Sequence, residues 1–314
     1  MRAGGVTYVV TVYNKAPYIA GALRAIRGQR GNFDRQIVVV DDGSTDDSAA
    51  IAAATIAGWP DAVLVRQSNG GPSVATNRGL REAKMPFAHL VDGDDVLAPY
   101  ATRVLLRAQQ QSGCGVIYGR GSWYASAEDI RFPDEPRDVS VNVLQDTLFT
   151  TIRRGISGSS ALLVDTEAAR RVGGCDEEVF IQDHSLPQRM ASVATIGLID
   201  DLLSLGPQNE PGRLMKSGEA QLLHDQSLAA LHTLRDSPHL GPRYRRLVQK
   251  QATGRAWKWA LRKDGASLVS KFYWLFVLAH VPFVLMSDTL LESTLEAFGR
   301  NNEIRRNDGR NLRS

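Results

Sequence analysis

Short apolar, β-branched runs alternate with amphipathic or Ala-rich runs over roughly the first 120 residues. This alternation limits the fold more than any other feature of the chain. Residues 6–12, 37–40, 62–65, 87–91 and 116–118 read as strands, the first uniformly apolar enough to be buried on both faces. Helices are expected between them. The first opens at Pro17 and carries Ile19, Leu23 and Ile26 on one face. Ser44-Thr45-Asp46-Asp47 fits a capping box before an Ala-rich helix that runs to Ala57. The Gly-rich turn Asn69-Gly70-Gly71-Pro72 opens a helix through Lys84, and residues 99–111 form another. Strand–helix alternation with short turns predicts an α/β fold, with a mostly parallel, Rossmann-like sheet and helices on both faces. The pattern weakens from about 120 to 160. Residues 159–164 and 195–199 read as further strands, and 183–194 as a helix. After Pro207 only helices are expected, so a boundary is placed near 210. Residues 1–210 are one unit, 211–314 are a helical C-terminal region, and the end is a polar tail.

Open α/β sheets bind ligands at the carboxyl ends of their strands. Two predicted strands end in acid there, at Asp41-Asp42-Gly43 and at Asp92-Gly93-Asp94-Asp95. Carboxylates packed so closely repel one another, and a cation would balance them. A hard divalent ion such as Mg²⁺ or Mn²⁺ prefers oxygen ligands and bridges carboxylates to phosphate. The rim therefore suits a metal and a nucleotide.

Five stretches carry a resemblance: "VTVYNKAPYI", "VVVDDGSTD", "SNGGPSVATNRGL", "HLVDGDDVLAP" and "GGCDEEVFIQDHSL". In order and spacing they resemble the family 2 glycosyltransferases of the GT-A fold, over roughly residues 6–200. The resemblance implies an inverting, metal-dependent transferase that moves one sugar from a nucleotide-diphosphate sugar, UDP-linked, to an acceptor hydroxyl. It implies that Asp92-Gly93-Asp94 is the family's DxD motif. Asp94 is then the metal ligand, and Asp92 contacts the ribose or the metal's water. It places Thr11, Tyr13 and Asp42 around the base, with Asp42 accepting from a ring N–H. Asn14 holds the strand-end turn beside them. Asn77 and Arg78 lie beside the donor, where a helix N-terminus suits phosphate. Thr76 stands where the family usually has a basic residue. Asp183 matches the catalytic base, next to Gln182 where the family usually has Glu. Arg213 and Lys216 are expected to neutralise the departing diphosphate, although the family's Arg-x-His is absent there. The processive Gln-x-x-Arg-Trp signature is also absent, which implies single-sugar transfer. The expected acceptor is a glycan or lipid-linked hydroxyl in envelope glycan, polysaccharide or glycolipid synthesis. Two alternatives are a nucleotidyltransferase and a non-catalytic sugar-nucleotide-binding protein. The first would need a basic phosphate-activating motif near the N-terminus, where only Lys15 is available.

A net charge of +3 gives no argument for nucleic acid. Cys114 and Cys175 read as core residues in a reducing compartment. No secretory signal is read at the N-terminus, and no apolar run approaches the ~20 residues of a membrane span. The expected location is cytoplasmic, or peripheral on the inner membrane face. From Arg243 to Lys271 nine basic residues face one acid, Asp264, a net +8. Trp257, Trp259 and the run from Phe272 lie within or beside them. This composition is expected to associate residues 243–286 with a membrane surface, or to form a hairpin packed on the rest of the protein. His89, His184 and His224 are read first as structural.

Overall fold

In β1 (Ala3–Val12) the side chains at 6, 8, 10 and 12 enter one core and Val9 enters another, so both faces of the strand are buried. β2 (Phe33–Asp41), β3 (Ala62–Arg66) and β4 (Phe87–Asp92) join it in parallel, in the order β3-β2-β1-β4. The helices between them are α1 (Ile19–Arg27), α2 (Ser48–Ile56) and α3 (Pro72–Glu82). β5 (Val96–Leu97), α4 (Ala101–Ser112) and β6 (Val116–Tyr124) follow. Then come β7 (Asn142–Val143), α5 (Thr147–Arg154), β8 (Leu162–Asp165), α6 (Thr166–Arg171), α7 (Gln182–Ala191) and β9 (Ile196–Pro207). β8 is inserted antiparallel between β4 and β6, and β9 lies parallel to β6. The nine-stranded sheet is thus mixed, with most of its paired length parallel. This computed structural model describes residues 3–208, 218–307 and 311–312.

Helices α1, α2 and α4 cover one face of the sheet; α3 and α5–α7 cover the other. On that second face also lie α8 (Glu219–Asp236), α9 (Pro242–Lys263), α10 (Lys271–His280), α11 (Asp288–Glu292) and α12 (Glu296–Gly299). Ion pairing changes the expected +8 run. Arg243 meets Asp146, Arg245 meets Asp288, Arg262 and Lys263 meet Glu219, and Lys271 meets Glu296. Phe272 is 0% exposed in the shared core, with the Arg300 guanidinium 4.8 Å from its ring centre. It therefore has no face to offer a membrane. Val269, Trp274 and Phe283 do, at 86%, 60% and 87% exposed. No helix among the described residues is long and apolar enough to cross a membrane.

The capping box expected at 44–47 does not form. Ser44 Oγ accepts from the Asn14 amide instead, and Asp46 accepts from the amides of Ser48 and Ala16. The loop after β2 is thereby tied to the loop after β1.

Candidate active site

Strand register builds the site. Thr11 pairs with Val40 on one side and with Asp92 on the other, while Val12 pairs with Asp41. The acidic ends of β2 and β4 therefore flank the end of β1. Gly93 donates its amide to the Thr11 carbonyl at 2.9 Å, and a Cβ at Gly93 would sit 2.9 Å from that oxygen. The glycine is needed for the approach of one strand end to the next.

Asp92 and Asp183 line one enclosed cavity of about 10 Å³ with Thr11, Thr76 and Gln182. That is room for a single water. Asp92 accepts from the Ser159 hydroxyl and, at 3.5 Å, from the Gln182 amide. Burial, then the neighbouring charge of Asp94, pushes its carboxyl up to about 7, and Asp183 adds to the rise. Asp94 pairs with the Lys15 ammonium at 2.8 Å. In Asp183, Oδ1 is buried without a hydrogen-bond partner. Burial raises this carboxyl as well, opposed by His184 and by a hydrogen bond from the Gly158 amide. A carboxyl raised by desolvation and held short of full hydrogen bonding suits a group that must take a proton.

On the donor side, Asp42 is 3% exposed and accepts from Gln67 Nε2 and from the amides of Gly70 and Gly71. Its oxygens thus shape the Gly-rich loop. Burial raises its carboxyl too. Tyr13, 44% exposed, is open at the end of β1. Asn14 adopts a left-handed backbone, and its Oδ1 accepts from the Thr45 amide at 2.8 Å, which ties the turn after β1 to the loop after β2. Two residues expected beside the donor are engaged elsewhere. Asn77 donates to the Cys175 carbonyl and Glu177, accepts from the Cys175 amide, and so staples α3 to the 175–177 turn. Arg78 runs along the outer face of α3 to Glu82. Arg213 and Lys216 lie outside the described residues.

Sequence reasoning passed over Ser159, and considered Lys15 only for another function. Nothing local signals that a loop 67 positions from Asp92 returns to it. Gln182 was noted only as a departure from Glu. At that position Glu would add another acid beside Asp92, whereas the amide donates to it. His89 and His224 are engaged within the fold, and His184 lies beside Asp183. His89 is bonded to Thr102 and to the Ser160 carbonyl, and burial lowers it to about 4. His224 bonds Asp225, and His184 is buried. Both cysteines are buried free thiols.

Comparison with known proteins decides the family. The model of "Glycosyl transferase family 2" matches residues 7–173, more than half of the chain. The chain belongs to this family. The glycosyltransferase is 36% identical over 97 residues to a teichoic acid poly(glycerol phosphate) polymerase of Staphylococcus epidermidis, 30% of this chain and 13% of that one. It is 30% identical over 115 residues to the glycosyltransferase GlyG of Streptococcus pneumoniae, 36% of this chain and 38% of that one. The matches thus span less than half of these relatives' lengths. Among solved structures, S. aureus TarS 1–349 in complex with UDP-GlcNAc superposes with a TM-score of 0.59 at 15% identity, over 88% of this chain and 79% of that one. The mannosyltransferase PcManGT of Pyrobaculum calidifontis, in complex with GDP-Man and Mn²⁺, gives a TM-score of 0.53 at 17% identity, over 94% and 85%. The glycosyltransferase therefore has the GT-A fold, with a helical C-terminal region.

A divalent cation fits the rim of the glycosyltransferase. Asp92 and Asp94 are hard oxygen donors, and one of them already holds the ammonium of Lys15. Among the described residues no group of three or more His, Cys, Asp or Glu side chains could hold a metal. Two carboxylates plus phosphate and water oxygens are what Mg²⁺ commonly uses.

Proposed function

We propose that the enzyme transfers one sugar, with inversion, from a UDP-linked sugar to a hydroxyl of an envelope glycan or lipid-linked acceptor. The convergence of Asp92, Asp94 and Asp183 on one strand-end rim carries this reading. The donor base lies by Tyr13 and Thr11, and Asp42 presents the Gly-rich loop to it. Asp94, with Asp92, would hold a Mn²⁺ or Mg²⁺ ion, which supplies positive charge to the leaving diphosphate. Asp183 takes the proton of the acceptor hydroxyl as that oxygen bonds to the anomeric carbon and the bond to the diphosphate breaks. The GT-A neighbours bound to UDP-GlcNAc and to GDP-Man with Mn²⁺ support a nucleotide-sugar donor. Residues 1–210 form the catalytic unit. From residue 218 on the described residues pack on it, and they meet a membrane surface through Val269, Trp274 and Phe283, whose exposure favours them over the buried Phe272.

The test is a screen of sugar nucleotides, with and without Mn²⁺ or Mg²⁺, for thermal stabilisation and slow hydrolysis. One sugar nucleotide should act with the metal and lose its effect in Asp94→Ala. Equal binding in that variant would remove Asp94 from the site. Sedimentation with anionic liposomes, comparing the full chain with Trp274→Ser/Phe283→Ser, tests the surface contact. Failure of the full chain to sediment at low salt would rule it out.

A further inference from the structure

Beyond α12 the chain returns to the active site. Residues Ile304–Arg305 pair with Asn311–Leu312 as a short antiparallel ladder, and Ile304 is 0% exposed. On α8, Gln221 accepts from the Arg305 amide at 2.7 Å and donates to its carbonyl at 3.3 Å. Gln221 also donates to Asp225, whose other oxygen accepts from the Ile181 amide at 2.9 Å, immediately before α7. Two residues beyond Arg305, Asn307 is 5% exposed. Its Nδ2 donates to the carbonyls of Glu177 and Val179, at 2.8 and 2.9 Å. Its other side lies against the Gly-rich loop, where a Cβ added at Gly71 would fall 2.0 Å from Asn307 Oδ1. Gly71 itself is held by Asp42. One carboxamide is therefore wedged between the loop that frames the donor and the turn that leads to Asp183.

We propose that Asn307 is a positioning residue that sets the 177–179 turn, and through it Asp183, against the Gly-rich loop. It touches no reacting atom. Its NH₂ group has the two donors needed to bind two carbonyls at once, which Asp at the same size lacks. Small misplacements of a reacting group cost large factors in rate. The inference rests on the reading of Asp183 as the base.

The experiment uses the full chain with Asn307→Asp and Asn307→Ala; the second, which buries no charge, serves if the first fails to fold. Two readouts are taken: hydrolysis of the sugar nucleotide that best stabilises the wild type, resolved into kcat and KM, and amide hydrogen exchange at 176–183. We expect kcat to fall about 10-fold or more with donor KM within about twofold, the signature of displaced chemistry with intact binding. Exchange at 176–183 should quicken. A lowered Tm with kcat near wild type would make Asn307 packing alone and overturn the proposal. A raised KM with unchanged kcat would also overturn it, assigning the residue to donor binding. If the wild type hydrolyses no sugar nucleotide, the proposed function fails separately. Exchange then decides: quickened at 176–183, it supports the positioning role; unchanged, it sinks it.

Discussion

The strand-end rim and the C-terminal helices are both rich in charge, and the fold pairs that charge to different degrees. In the C-terminal region Arg243, Arg245, Arg262, Lys263 and Lys271 meet carboxylates, some from distant parts of the chain: Asp146 before α5 for Arg243, Glu219 on α8 for Arg262 and Lys263; one guanidinium nitrogen of Arg255 is instead buried without a partner. At the rim, half-buried Asp92 lies beside Asp94 and Asp183 and accepts from a hydroxyl and an amide, while the nearby cation, Lys15, pairs with Asp94. Charge matched by countercharge on a surface is packing detail, worth little in stability. Like charges held together in a buried place cost free energy, and they are retained where a ligand relieves them.

The comparison can be broken from either side. The largest effect is expected at the rim. Asp183→Asn should keep donor binding and reduce transfer by about 10²-fold or more, the scale of a lost general base. Turnover near wild type in steady-state kinetics would move the base elsewhere. Next comes the C-terminal core. Phe272→Ala should cost about 3–5 kcal/mol in denaturant unfolding, as other buried aromatic truncations do. A loss below about 1 kcal/mol would mean the ring is not buried as described.

A pH-dependent effect separates the two regions directly. Burial and the neighbouring charge of Asp94 push the Asp92 carboxyl in the folded chain up to about 7, from an ordinary value of 3.8. Between those values the folded state holds a proton that the unfolded state has lost. Stability from this group is therefore greatest at low pH and falls as pH rises from about 4 to 7, by at most about 1.4 kcal/mol per unit. In metal-free buffer, the Tm of Asp92→Asn minus that of the wild type should grow across this window. A constant difference would place Asp92 among ordinary carboxylates. The smallest effect is expected for Arg245→Ala, which removes an exposed pair with Asp288. It should cost under about 1 kcal/mol and leave donor hydrolysis unchanged. A large rate loss there would erase the distinction between the regions.

The strands β1, β2 and β4 could be placed from sequence because burial on both faces leaves long apolar runs, and the edge strand β3 from its short β-branched run. β6 and β9 extend well past the apolar stretches at 116–118 and 195–199. Their continuations hold Arg120, Ser122, Asp200 and Asp201, and the pairing is irregular after Tyr118. α6 was missed although Asp165 caps it by accepting from the Ala168 amide. Six residues are too few for helical periodicity to show. In the candidate site, the local pattern puts Asp92 and Asp94 at a strand end, whereas Asp183 was singled out only through the family resemblance. Asn77 was misplaced for the complementary reason. Its partners at Cys175 and Glu177 lie 98 and 100 residues away, and no local pattern reveals that they consume its amide.

Asn307 reaches carbonyls 130 and 128 residues earlier in the chain. A polypeptide emerges from the ribosome in order, and long-range contacts form only when both partners are out. The parallel strands β1 to β4 can pair while synthesis is still on α8. The turn before Asp183 has to wait for residues 304–307. The carboxylate rim and the donor loop can thus be made first, and Asp183 takes its final place against them only once residues 304–307 have been made.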